Sequence, residues 1–326
     1  MHTTDAASGA LGGAIDVHAH FVTSTLRTAM RDAGVEHPDG MPAIPEWSPQ
    51  SALRLMDGTG VRAALLSVSS PGVHFGDDGA AVRLARSVND EGAALVAEHP
   101  GRFGLMASLP LPDVVAAASE AERALGELGA DGIILLTQYA GRHLGDPVYE
   151  PLMAVLNERA AVVCLHPTSP VCWEATAMGY PRPMLEFPFE TTRAVTNLIL
   201  GGTVDRYPRI SFVVPHAGAA LPVLADRIAA FAMMRQGAAA VDAISSLRRL
   251  YFDVAGFSSP RALPALLGLT DDEHTLYGSD FPFTPDWVVE ALAADLAASE
   301  VLTPPQMRRV RDGNAVRLFP RFGPAI

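Results

Sequence analysis

The stretch "AIDVHAHF", residues 14–21, is a short apolar run carrying Asp16, His18 and His20 at alternate positions. In an extended strand, residues two apart share a face, so these three polar side chains are expected together, with Ile15 and Val17 opposite. Such a row is unfavourable inside a core unless something pairs with it. Seven more strand-like runs follow: "VRAALLSV" (61–68), "FGLMASL" (103–109), "DGIILLT" (131–137), "AVVCLHP" (161–167), "RISFVVPHA" (209–217), "LYFDVAG" (250–256) and "HTLYGSD" (274–280). Most are continuously apolar rather than alternating, the pattern of parallel strands covered on both faces.

Amphipathic segments separate them. Residues 48–60 open on a Ser-Pro start signal and close on glycine, and helical patterns recur at 79–101, 112–130, 146–160, 189–208, 219–236, 260–269 and 286–299. Eight βα pairs in one chain predict an α/β fold of the TIM (β/α)8 barrel type, distorted, as a single catalytic domain over residues 13–326. Residues 303–319 read as helices capping its outside. Residues 1–12 lack the basic and apolar regions of a signal peptide and read as a disordered tail. The segments 21–47 and 168–189 read as long irregular loops on the C-terminal side of the barrel, where such loops commonly carry function.

Composition narrows the function. Of the 326 residues 49% are hydrophobic and 18% charged, which supports a large core and argues against disorder. A net charge of −12 argues against nucleic acid or an anionic membrane as partner. It leaves room for a small anionic substrate, because a metal or a local arginine reverses the field inside a pocket. The two cysteines, Cys164 and Cys172, support neither a disulfide framework nor a cysteine-rich zinc site, and fit a reducing cytoplasm. No apolar run is long enough to span a membrane.

Placed on the predicted strands, the polar residues converge. His18 and His20 end the first strand, His166 the fifth, His216 the sixth and Asp280 the eighth. In a closed barrel these positions share one mouth, the face where such barrels build active sites. Several imidazoles with one carboxylate suit a divalent cation, zinc first, with manganese or iron as alternatives. Any one of these histidines, alone, would more often be a satisfied structural residue; the joint placement is what points to a metal. The other histidines lie in the tail, in loops or in connecting segments, except His74 in "SPGVHFGDD", which is placed to look into the pocket.

On "DVHAHF", "LRLMDGTGV", "LGDPVYEPLMAVLNERAAVVCLHP", "PHAGAALPVLADRI" and "YGSDFPF", the chain resembles the amidohydrolase-related metal-dependent decarboxylases over about residues 14–319. That family includes the aminocarboxymuconate-semialdehyde decarboxylases and the salicylate- and resorcylate-type decarboxylases. The stretch from "HPTSP" to "VVPHAG" is most similar to the branch containing 6-methylsalicylate decarboxylase. The resemblance implies His18, His20, His166 and Asp280 as ligands of one metal, with His216 beside them as acid or base. It implies a homodimer in which Arg227 crosses the interface to hold a substrate carboxylate; the alternative for Arg227 is an exposed helical residue paired with Asp226 or Glu190. Three departures stand out. The semialdehyde branch carries an arginine just before the first helix of the barrel, and "DGMPAIPEWSPQSA" has none, which argues against that substrate. The resorcylate branch often begins Glu-x-His where this chain has His18-Ala-His20. The turn after His216 is "HAGA", slightly bulkier than the family's glycine-rich turn.

The implied reaction is non-oxidative loss of CO₂ from an aromatic or dienoic carboxylic acid, salicylate-type first. The metal acts as Lewis acid and template, and Asp280, relayed through His216, protonates the ring carbon. Trp47, Phe187, Phe189 and Phe283 are candidate aromatic walls, each equally explicable as packing. Arg193 reads as a structural ion pair. A hydrolase opening a lactone or amide on the same scaffold is the alternative, and a metal-binding scaffold without activity ranks last. A binuclear site bridged by a carboxylated lysine is disfavoured, because "DGIILLT" contains no lysine.

Overall fold

The computed structural model describes residues 9–237 and 241–323. All eight strand-like runs form strands: β1 (Ala14–His20), β2 (Val61–Ser67), β3 (Phe103–Ser108), β4 (Gly132–Leu136), β5 (Val162–His166), β6 (Ser211–Val214), β7 (Tyr251–Asp253) and β8 (Thr275–Leu276). They pair in parallel and in chain order, β1 to β8. Helices α1 (Ser24–Asp32) and α2 (Pro49–Thr59) follow β1. One long helix follows each later strand: α3 (Asp78–Glu98), α4 (Val114–Gly126), α5 (Glu150–Glu158), α6 (Arg182–Leu200), α7 (Leu221–Gln236), α8 (Ala262–Leu269) and α9 (Asp286–Ala297). The ring closes through β1 and the segment after β8. Val17 N–H donates to Tyr277 O at 3.0 Å, Asp280 N–H to His18 O at 2.7 Å, and His20 N–H to Phe281 O at 2.7 Å. The fold is a single TIM-type barrel whose last two strands are short.

Burial falls into two layers. Ile15, Val17, Leu65, Met106, Ile134, Cys164, Val213 and Leu276 form one cluster, sealed by Ala315, Phe319 and Phe322 from the C-terminal segment. A larger cluster packs strands against helices, with Phe103, Phe212 and Phe252 fully buried. The C-terminal helices therefore close the end of the barrel away from the histidines rather than covering its outside. The reason is local: the segment offers Ala315, Phe319 and Phe322 to the strand cluster.

The expectation for β1 needs a second correction. Ile15 and Val17 belong to the inner cluster, whereas Asp16 lines a small cleft beside Ala52, Leu55 and Met56 of α2. Between the Asp16–Ala64 and Ala19–Leu66 pairs, β1 advances three residues against two on β2. This β-bulge shifts the phase of the strand. It separates Asp16 from the two histidines and sends His18 and His20 to the mouth. Asp16 Oδ1 then accepts His18 N–H and Ser279 N–H, both at 3.0 Å, pinning the bulge to the segment after β8. Gly278 completes this corner: a Cβ there would fall 2.8 Å from His18 Cβ.

The long segments also hold more regular structure than expected. Thr23 caps α1 through its hydroxyl, and Leu26 and Met30 are its buried face. Residues 182–189, read as loop, begin α6, with Pro183 in its first turn and Pro188 inside it. A two-stranded ribbon pairs Gln138–Tyr139 with Arg142–His143 after β4. The expected tail over 1–12 is ordered from residue 9: Leu11 is buried and its N–H donates to Thr59 O at 2.9 Å. Residues 1–8 lie outside the described residues.

Asp272, just before β8, clamps the C-terminal segment by accepting from Gln306 Nε2 at 3.1 Å and from Arg309. The hydrogen bond from Arg309 holds its carboxyl below the ordinary value of 3.8. A depressed carboxyl contributes stability that is complete above its unfolded value and fades as pH falls through the folded one. Arg309 is 40% exposed, so the effect is modest. Asp272→Asn is expected to lower the thermal midpoint at pH 7 by roughly 1–3 °C and by less at pH 3. An equal loss at both pH values would refute this account.

Candidate active site

The bulge in β1 and the ends of β2, β5 and β7 orient three buried imidazoles in a common manner. His18 Nδ1 lies 2.9 Å from Asp253 Oδ2. His20 Nδ1 lies 2.8 Å from Ser67 Oγ, whose own hydroxyl proton goes to Ala19 O at 3.1 Å. Ser67 therefore accepts, and His20 Nδ1 carries the proton. His166 Nδ1 donates to Pro167 O at 2.7 Å. Each ring thus carries its proton on Nδ1 and turns Nε2 into the mouth, the arrangement by which metal-binding histidines are held.

Asp280 faces them, its Oδ1 3.1 Å from His20 Nε2 and 3.6 Å from His18 Nε2. Two acceptors 3.1 Å apart need a cation between them. His18 Nε2 is buried without a partner, which for a polar atom costs about 1–3 kcal/mol. One ligand atom each from His18, His20, His166 and Asp280 lies within 4.8 Å of the others. The residues fit a divalent metal.

Electrostatics agree with the geometry. In metal-free protein, burial pushes His18 down, but Asp253 and Asp280 raise it to about 9. An entering cation must displace that proton. Burial holds His20 low, and burial with the neighbouring imidazoles of His20 and His18 holds His166 well below its ordinary value. Burial would raise Asp280, yet the neighbouring imidazoles of His20, His216 and His18 keep it well below the carboxylate range. Burial lifts Asp16 to about 7, against its hydrogen bonds to Ser279 and His18.

His216 Nε2 lies 3.8 Å from Asp280 Oδ2. Both residues have left-handed backbones, φ +57° and +62°, a conformation of about 1–3 kcal/mol for a side-chain-bearing residue and common where function requires it. Beyond them opens a cavity of about 590 Å³. Its floor is His166, His216, Asp280, Ser69 and Ser70; its walls include Met41, Met184, Phe187, Pro188, Phe257 and Phe283. Among the described residues no arginine lines it.

Of the other expected site residues, Phe187 and Phe283 line the cavity and the rest lie elsewhere. Phe283 lines the cavity, with its ring edge-on to His20 at 5.5 Å. Trp47 packs edge-on against Phe21 at 6.1 Å, behind the wall. Phe189 is 44% exposed on the far side of its turn, leaving Phe187 to face inward. His74 pairs with Asp78 at 2.8 Å and lines a separate small cleft. Arg227 is exposed on α7 and stacks over Phe231 at 4.8 Å, away from this chain's own cavity. Arg193 pairs with Glu190 at 2.7 Å, a structural ion pair.

Asp253 was missed by sequence reasoning, although it ends the seventh strand as His166 ends the fifth. The rule that located the histidines would have found it. Ser67 and Ser69, around the end of β2, carry the same signal more weakly, since a serine at a strand end is common.

Known proteins resemble this chain over most of its length. Residues 15–321 match the amidohydrolase family model. The chain is 36% identical over 315 residues to a 6-methylsalicylic acid decarboxylase of Penicillium expansum, covering 94% of this chain and 96% of that one. Among solved structures, an amidohydrolase II superposes with a TM-score of 0.90 at 37% identity, covering 94% of this chain and all of that one. A dihydroxybenzoic acid decarboxylase of Polaromonas sp. JS666, solved with bound manganese and 2-nitroresorcinol, superposes with a TM-score of 0.80 at 25% identity, covering 95% and 97% of the two chains.

Asp253 anchors His18, so Asp253→Asn is expected to weaken metal affinity by about 10–100-fold. In the wild-type protein, metal uptake at pH 7.5 should release close to one proton from His18, and apparent affinity should fall about tenfold per pH unit below 9. Calorimetry in buffers of different ionisation enthalpy reads both; uptake without proton release would overturn the assignment.

Proposed function

The chain belongs to the amidohydrolase family, and from that premise we propose that it is a metal-dependent, non-oxidative decarboxylase of a salicylate-type acid. The observation that carries this reading is the cluster of three Nδ1-anchored imidazoles and Asp280, of which His166 and Asp280 line the floor of an apolar cavity. His18, His20, His166 and Asp280 hold the cation. When bound, it would supply Lewis-acid chemistry to the hydroxy-acid group of the substrate. Three imidazoles and a carboxylate favour zinc, and the manganese of the Polaromonas enzyme makes that ion the alternative.

The protein's residues do the rest. The aromatic ring of the substrate packs between Phe187, Phe283 and the methionines, away from water. As the bond to CO₂ breaks, its electron pair stays on the ring carbon and takes up a proton. Asp280 is placed to deliver it. Because its carboxyl sits well below the ordinary range, Asp280 brings no proton of its own at neutral pH. His216, 3.8 Å away and open to the cavity, supplies one and is reloaded from solvent. The chain contains no lysine, so neither a carboxylated-lysine bridge nor a Schiff base is available to it.

Among the described residues, no arginine lines the cavity to add a cation beside the proposed metal. Substrates with one carboxylate and apolar ring substituents match its walls, and a second carboxylate would be buried unpaired. We further propose a homodimer. Val223, Phe231 and Met234 are exposed on α7 beside Arg227, an apolar helix face that a second copy would cover. No helix among the described residues is long and apolar enough to cross a membrane. Two free cysteines fit a reducing compartment.

Elemental analysis should find one zinc or manganese per chain, and salicylate or its alkyl derivatives should release CO₂ in a chelator-sensitive way. His18→Ala and Asp280→Ala should each lower kcat/KM by about 1000-fold or more. Replacing a methyl substituent by a second carboxylate should lower it by about 100-fold. Metal without CO₂ release from any such acid would sink the decarboxylase reading. Efficient turnover of a dicarboxylate would sink the specificity.

A further inference from the structure

Asp39 is a buried carboxylate at the mouth that the reaction does not touch. Its Oδ2 accepts from Thr168 Oγ1–H at 2.7 Å and from Ser169 N–H at 3.3 Å. Its Oδ1 lies 3.7 Å from Arg182 Nη1, at the start of α6, and that guanidinium stacks on Trp173 at 4.2 Å. The chain turns sharply to reach this position. Asp39 and Gly40 have φ +46° and +81°, and a Cβ on Gly40 would fall 2.6 Å from Arg182 Nε. Met41, the next residue, is a wall of the cavity.

On the other side of the contact stands the corner after β5. His166 donates to Pro167 O, and Thr168 and Ser169 follow at once. From β4 and the residues after it, this corner receives two braces. Thr168 N–H donates to Thr137 Oγ1 at 3.2 Å, and Gln138 Nε2 donates to Ser169 O at 2.9 Å. Asp39 supplies the rest from a loop about 130 residues away in sequence.

We infer that Asp39 is a positioning residue, which clasps the loop after β1 to the corner carrying His166 and so sets both the metal ligand and the Met41 wall. The barrel closes through its strands and does not need this contact. Loss of the clasp therefore loosens the site before it loosens the fold. The inference rests on the reading of His166 as a metal ligand.

The test uses the full-length protein with Asp39→Asn, which removes the charge facing Arg182, and Thr168→Val, which removes the hydroxyl donor. With salicylate as probe, each variant should raise KM by about tenfold with kcat within about threefold of wild type. The EDTA concentration that strips half the metal should fall by about tenfold. The double variant should be no worse than the worse single by more than about twofold, because both break one contact. In metal-free protein, amide exchange should rise together at 39–41 and 168–169. Exchange rising only at 39–41, with KM and chelator midpoint within about twofold of wild type, would overturn the clasp even if the thermal midpoint drops. Should Asp39→Asn not fold, Thr168→Val is read by the same criteria. Wild-type protein that binds no metal, or turns over neither salicylate nor any of its alkyl derivatives, would refute the proposed function instead, and exchange at the two segments would still decide the clasp.

Discussion

The carboxylate of Asp253 is the constraint on which the site depends. One oxygen takes the Nδ1 proton of His18, and the other accepts the backbone N–H groups of His216 and Ala255, both at 3.0 Å. A single buried group thereby orients His18, one of the proposed metal ligands, seats His216 just after the preceding strand, β6, and ties β7 to its own loop. Burial alone would raise this carboxyl, but the charge of His18 and its hydrogen bond keep it low, so it stays an acceptor. A neutral residue of the same shape would keep some of the geometry and lose the field that holds His18 near 9.

Around that hub the backbone is held in unfavourable shapes. His216 and Asp280 have positive φ without being glycine, together a few kcal/mol of stored strain. The surrounding frame fixes them: Asp280 N–H is bound to His18 O, Thr284 N–H to Asp280 O at 2.8 Å, and His216 N–H to Asp253. Barrel closure and site assembly are thus one set of hydrogen bonds. The donors that join β1 to the end of β8 are those that aim Asp280 at the imidazoles.

Much of this was legible in the sequence, and for a physical reason. A parallel strand buried on both faces must be apolar throughout, so a polar residue at its C-terminal end stands out, as His166 does after "VVCL" and Asp280 after "LYGS". Eight such runs sufficed for the barrel. The bulge in β1 was not legible, because strict alternation assumes a regular strand and nothing in "IDVHAH" marks the extra residue. Nor were Trp47, Phe189 and His74 placed correctly. Their positions depend on which face of a loop or helix turn meets the cavity, and long loops carry no periodicity to settle that. Asp253 was legible and overlooked: one acid in "LYFDVAG" looked ordinary because its partner, His18, is 235 residues away.

The distribution of charge separates this site from an ordinary anion pocket. Every basic side chain but histidine is an arginine, 24 in all, and none lines the cavity among the described residues. A protein with net charge −12 that binds a carboxylate there must hold it with something other than a guanidinium of its own chain. The three imidazoles are neutral or hold one proton between them, and Asp280 adds a negative charge. Without a divalent cation the floor of the cavity would repel the substrate. With one, the local field reverses sign within a few ångströms while the walls stay apolar. In the proposed reaction, attraction would thereby be confined to the carboxylate that is lost, and the remainder of the ring would be selected by shape and hydrophobicity.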